Sequence, residues 1–143
     1  MAITKDEVVA LATAFHDVVK TGGTVAEQAR FFLHPEPRIF ILHGEDVSLQ
    51  TNYEIHQRLT DERHLLIEPW DVTPLSQSPE RVRVVGAIYW EGRLKGSPDG
   101  ALIKCMVGED WIVQRLPSGE LKIALYMNAY HNFLPDSAPM SLE

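Results

Sequence analysis

Four residues in the last third of the chain combine acid/base chemistry with apolar walls: Glu109 and Trp111 in one β-rich run, Tyr126 and Asn128 in the next. The members of each pair stand two positions apart, and alternate residues of an extended strand share a face. A carboxylate and an amide set among large rings is the make-up of a small-molecule pocket, where apolar surface holds a ligand and a few polar groups orient it. Extending the alternation to the preceding strand adds Val85, Ala87 and Tyr89, with Phe15, His16 and Trp70 as further wall candidates. The ligand-binding set expected is therefore Phe15, Trp70, Tyr89, Glu109, Trp111, Tyr126 and Asn128. A carboxyl such as Glu109 in that setting loses hydration, which favours its neutral form and suits it to proton transfer.

Six histidines widen the acid/base inventory. His16 sits beside Phe15, and His43 ends a short strand next to Glu45-Asp46, where a carboxylate can orient an imidazole. His16, His43 and Glu109 are the catalytic candidates. No His-x-x-x-His or Glu-x-x-His spacing occurs, so no metal is expected. Cys105 is the single cysteine and lies in an apolar run, which excludes an intramolecular disulfide and leaves a protonated, unreactive thiol. No Gly-x-Ser-x-Gly elbow appears, and Gly96-Ser97-Pro98-Asp99-Gly100 lacks the Lys-Ser/Thr of a phosphate loop. Cofactor-independent acid/base chemistry is what remains.

The elements that must position these groups have clear local signals. Thr4 with Glu7 and Thr24 with Glu27 fit the capping box, so a helix starts at each. Val8, Leu11, Ala12, Phe15, Val18 and Val19 recur at helical spacing up to Gly22-Gly23, and Val25, Ala29, Phe32 and Leu33 form a second stripe that His34-Pro35-Glu36-Pro37 stops. A strand over residues 38–43 follows. Thr51 with Glu54 marks a third helix between Gly44 and Asp61. The rest reads as strands over 65–73, 81–94, 101–115 and 121–133, a long antiparallel meander with Ser/Pro/Gly loops. Helices ahead of such a sheet give an α+β layer architecture in one domain, residues 1–143.

The terminal hairpin, Glu109-Asp110-Trp111-Ile112-Val113-Gln114-Arg115 through Pro117-Ser118-Gly119-Glu120 into Leu121-Lys122-Ile123, resembles that of the nuclear transport factor 2-like superfamily, which includes the SnoaL-like proteins. The order helix, helix, strand, helix, four strands is similar to that superfamily over nearly the whole chain. The resemblance implies a cone: three N-terminal helices on a strongly curved antiparallel sheet, with a pocket between. It implies no single reaction, because the fold hosts isomerases, dehydratases, cyclases and binding domains. Dehydratases of this fold use a His and an Asp cooperating across the pocket, parts that His16 and Glu109 would take here. Steroid isomerases use a carboxylate at the end of the first strand, where this chain has the apolar Phe40-Ile41-Leu42. Pro69, the 81–90 strand, Glu109, Trp111 and the Gly119 turn also resemble the kinase association domain. Its pocket arginines are matched here by Ala87, Trp111 and Asn128, so an arginine-lined pocket is not expected.

Composition limits the partners. At 143 residues the chain can bury roughly two-thirds of its unfolded surface. With 13 Lys+Arg against 20 Asp+Glu, its charge of −7 repels nucleic acid and anionic membranes. Residues 1–7 lack the cationic flank and apolar core of a secretory leader, and a lone cysteine suits a reducing compartment, so a cytoplasmic location is expected. The expected ligand is a small hydrophobic or aromatic molecule. The alternate residues Ile88, Trp90, Leu125 and Met127 make the second sheet face apolar too, and its expected cover is a second copy, a homodimer through the convex face. The alternative function is a non-catalytic association or accessory domain acting through that dimer.

Overall fold

The computed structural model describes residues 2–41, 45–96 and 100–140. Helix α1 (Lys5–Lys20) begins at the expected capping box: Glu7 N–H donates to Thr4 Oγ1 at 3.2 Å and Thr4 N–H donates to the Glu7 carboxylate at 2.9 Å. It buries Val8, Ala12, Phe15, His16 and Val19 and ends before Gly22, whose φ of 77° suits a residue without a Cβ. Helix α2 (Val25–Ala29) is shorter than the apolar stripe. Its continuation is diverted because Phe31 and Leu33 spend their backbone groups on Ile123 of the sheet, at 2.8 and 2.9 Å. Phe32 is buried there as part of the sheet edge, not as a helix face.

Strand β1 (Arg38–Ile41) is followed by β2 (Glu45–Ser48), which replaces the expected polar start of the third helix. Helix α3 (Leu49–Gln57) is capped by Ser48, whose hydroxyl accepts from Thr51 N–H at 3.1 Å. Thr51 thus occupies the third helical position and is not the cap. Four long strands follow: β3 (Leu59–Gln77), β4 (Glu80–Leu94), β5 (Ile103–Arg115) and β6 (Leu121–Phe133). The six-stranded sheet has the order β2-β1-β6-β5-β4-β3. It is antiparallel except where β1 runs parallel to β6, with Ile39 opposite Tyr126. The helices cover one face, and the main core of Val8, Phe15, Trp70, Ile88, Trp111 and Tyr126 lies between the layers.

Cross-strand partners decide which residues face the helices. Val84 pairs with Trp111, Gly86 with Glu109, Ile88 with Val107 and Trp90 with Cys105. Paired residues point the same way, so the even positions of β4 join the odd positions of β5 on the concave face. Ile88 and Trp90 are accordingly buried in the interior, which corrects their expected place on the convex face, while Val85 is 40% exposed. Along β6 two register shifts act on the same question. Ile112 pairs with Leu125 but Val113 with Ile123, and Glu109 pairs with Asn128 but Gly108 with Tyr130. Ala124 and Ala129 are the extra residues of two bulges, each of which reverses the alternation. The concave side of β6 therefore reads Ile123, Tyr126, Asn128 and His131, and Tyr130 faces out over Gly108.

Candidate functional site

A cavity of about 80 Å³ opens between the helices and the concave sheet, with Phe15, His16, Asn52, His56, Trp90, Glu109, Tyr126 and Asn128 on its walls. Its deep end is enclosed by apolar side chains: Phe15, Ile88 and Cys105 are almost wholly buried. Half-buried or exposed lining residues, His56, His131 and Phe133, mark its mouth, together with Met140 of the segment after β6. That segment is tied to β5 by Leu134 N–H to Lys104 O at 3.0 Å and to the residue just before β5 by Ala138 N–H to Leu102 O at 3.0 Å.

Glu109 is the polar centre of the deep end, 2% exposed. Trp111 Nε1–H and Asn128 Nδ2–H donate to its Oε2 at 2.8 and 2.9 Å. Burial pushes its carboxyl up to about 8, against the opposing pull of the bonds from Trp111, Asn128 and Tyr126, so it holds its proton at neutral pH. Two N–H donors crowd Oε2, which leaves the proton on Oε1. The Tyr126 hydroxyl is raised well above its ordinary value by the same burial and by the adjacent carboxyl, and it too stays neutral.

The histidines divide into two groups. His16 of α1 and His64 of β3 stack at 4.7 Å with 22° between their planes. Burial lowers His16 to about 3 and, against the opposing pull of the Glu62 carboxylate, His64 to about 2, so both rings are neutral. His16 Nε2 and His64 Nδ1 are buried without a protein hydrogen-bond partner. His56 instead meets a carboxylate, Nδ1 to Glu62 Oε1 at 2.7 Å. The Cys105 thiol is pushed up to about 11 by burial and takes no part as a nucleophile. Among the described residues no three His, Cys, Asp or Glu side chains are grouped to hold a metal ion.

Of the residues singled out from the sequence, the structure brings Phe15, His16, Glu109, Tyr126 and Asn128 to one cavity. Trp111 stands behind Glu109 in the core, fully buried, as its hydrogen-bond donor. Trp70 is a correction: its indole lies over Gly86, where a Cβ would fall 2.3 Å from the ring, and donates to Ala87 O at 3.3 Å, so it packs the core away from the cavity. Tyr89 is a second correction. It pairs with Leu65 and Met106 on the convex face, because β4 alternates out of phase with the β5 residues to which it was matched. His43 lies outside the described residues. Sequence reasoning missed His56, Glu62 and His64. Glu62 and His64 stand two apart in β3, a signal that becomes legible only when that strand is started at Leu59 instead of Leu65.

Neither a family model nor a curated protein matches the sequence. Solved structures do match the fold. An NTF2-like protein from Cytophaga hutchinsonii superposes with a TM-score of 0.64 at 12% identity, over 92% of this chain and 100% of its own. A candidate scytalone dehydratase from Novosphingobium aromaticivorans gives 0.71 at 8% identity, over 93% and 90%. A ketosteroid isomerase-like protein from Erwinia carotovora atroseptica gives 0.59 at 13%, over 82% and 88%. With its helices on a curved six-stranded sheet, the chain has the α+β cone fold of the NTF2-like superfamily.

Proposed function

We propose that this protein binds a compact, uncharged, largely apolar molecule bearing a carbonyl or hydroxyl group, and that it turns that molecule over by acid/base chemistry with Glu109 as proton donor. The observation that carries the reading is a protonated carboxyl fixed by two N–H donors on the wall of an apolar cavity. Among the described lining residues there is no Lys or Arg, so an anionic ligand group would lack a counter-charge from them. The cavity is also about half the ~150 Å³ that accommodates a benzene ring in an engineered apolar cavity, so a larger ligand must reach out of its mouth. The names of the fold neighbours, a candidate dehydratase and an isomerase-like protein, are in keeping with isomerisation or dehydration.

The test is ligand-induced stabilisation. A panel of small hydroxylated aromatics, lactones and cyclic ketones is screened for a rise in melting temperature, since a ligand that prefers the folded state must stabilise it. Stabilisation by uncharged members, and none by their carboxylate analogues, is the expected result. No shift across the panel would favour the accessory-domain alternative.

The same reading extends to assembly and location. The convex face exposes Leu65, Val85, Leu125 and Tyr130, and a second copy of the chain is its proposed cover. No helix of the described residues is long and apolar enough to cross a membrane, and the net charge of −7 and the single buried thiol suit a reducing cytoplasm.

A further inference from the structure

Helix α3 turns one face inward, and a polar residue stands in the middle of it. Leu49 and Asn52 are its buried residues, and Asn52, Ile55 and His56 follow at helical spacing along the cavity wall. Leucine or alanine at position 52 would serve helix and packing better, because asparagine is a poor helix former and a buried amide without a partner costs free energy. Asn52 is 8% exposed, and its side-chain amide makes no hydrogen bond among the described residues. The other polar groups of the wall are engaged or closed off. Asn128 donates to Glu109, His56 is paired with Glu62, and the unpaired nitrogens of His16 and His64 are sealed in the packing. Asn52 thus brings an unused N–H and an unused C=O to the cavity wall.

Resting on the reading of the cavity as a ligand site, we propose that Asn52 is its specificity-determining residue and that the ligand carries a cis-amide, as in a lactam or a cyclic imide. A primary amide holds a donor and an acceptor in one plane on one edge. An uncharged group that meets both at once must itself place an N–H beside a C=O, and a small ring enforces that by fixing its amide cis. A ketone or a lactone offers acceptors only and leaves the Asn52 carbonyl unpaired. An alcohol donates one hydrogen and meets one half of the amide. A carboxylic acid has the matching edge but ionises at neutral pH, and the described wall holds no Lys or Arg to receive its charge. Leaving one half of a buried amide unpaired is what rejects the wrong ligand.

The experiment titrates the full chain with rings of one size that differ at a single ring position: 2-pyrrolidinone, γ-butyrolactone and cyclopentanone, with N-methyl-2-pyrrolidinone as the lactam that lacks a donor. The unmethylated lactam is expected to bind about 10-fold more tightly than the other rings. In Asn52→Leu all of them should bind alike. The unliganded variant should also unfold at a higher urea concentration than the wild type, because the unpaired amide is gone, whereas a structural role for that amide would lower the midpoint. Equal affinity for lactam and lactone in the wild type overturns the proposal while leaving ligand binding intact, and that comparison needs no variant. A preference that survives Asn52→Leu, or a lower midpoint for that variant, overturns it as well. If none of the rings binds, both readings fall.

Discussion

The indole of Trp111 donates to the carboxyl of Glu109, two residues earlier on the same strand, at 2.8 Å. This bond runs along β5, on its concave face, between a fully buried ring and a carboxyl that burial keeps protonated. Asn128 completes it from the neighbouring strand, which the register places opposite Glu109. A neutral acid with one oxygen accepting two N–H bonds and the other bearing a proton has the hydrogen-bonding pattern of a primary amide.

Glu109→Gln should therefore fold with the same hydrogen bonds and change the pH dependence of stability. The carboxyl titrates at about 8 when folded against an ordinary 4.5. Below pH 4.5 both states are protonated and the residue imposes no penalty. From there to about pH 8 the unfolded chain ionises while the native one does not, and stability falls with each unit of pH. Urea unfolding from pH 5 to 9 should show the variant gaining on the wild type by several kcal/mol at the alkaline end. Parallel curves for the two proteins would mean that Glu109 is already ionised in the fold.

Gly86 is the floor on which Trp70 lies. A methyl group there would sit 2.3 Å from the indole, and the ring is wedged against Trp111 at 5.9 Å with no space to retreat. Gly86→Ala should cost about 1 to 3 kcal/mol by overpacking, even though alanine suits a strand at least as well as glycine. Paired with Trp70→Phe, whose smaller ring frees part of that space, the loss should be less than the sum of the two single changes. Strict additivity would separate the two residues.

Much of this fold is legible from spacing alone, and the exceptions have specific causes. The capping box at Thr4 and the hydroxyl cap at Thr24, where Glu27 meets the Thr24 hydroxyl and not its N–H, use residues within one turn, and β6 runs over the expected span, Leu121–Phe133. β2 is not legible because Glu45-Asp46 has a helix-start composition, and pairing with β1 overrides it. The site was half legible. Glu109, Tyr126 and Asn128 meet because β5 and β6 keep their alternation between the two bulges. Tyr89 and Trp90 exchanged faces because the phase between β4 and β5 is set by register, which no single strand carries. The His56–Glu62 pair joins a helix end to a strand start, a contact without any periodic signature.

The convex face offers a test of assembly. Leu125 is 37% exposed there, opposite Ile112 and close to Met127. If a second copy covers that face, Leu125→Glu buries a charge without a partner and should yield monomer in light scattering, with far-UV circular dichroism unchanged. A folded variant of unchanged dimeric mass would place the interface elsewhere, and a monomeric wild type would dispose of the dimer itself.

The stacked pair His16 and His64 gives the opposite pH dependence to Glu109. Their folded values, about 3 and about 2, lie below the ordinary 6.5. Above pH 6.5 both states are neutral and their contribution is fully present. As pH falls below that, the unfolded rings take protons and the native rings do not, so stability is lost, by about 2 kcal/mol per ring between pH 7 and pH 5. Over the same interval Glu109 contributes a gain of similar size to one ring, and the wild type should be most stable at about pH 6.5. Glu109→Gln removes that gain, so the variant that is better at pH 8 should lose about 4 kcal/mol on acidification to pH 5, against about half that or less in the wild type. Adding His64→Leu to the variant should recover roughly half of the loss, because one of the two proton acceptors of the unfolded state is gone. Chemical denaturation of the three proteins at pH 5, 6.5 and 8 measures all of this. An acid limb that His64→Leu leaves untouched would show that the stacked rings already carry protons in the fold.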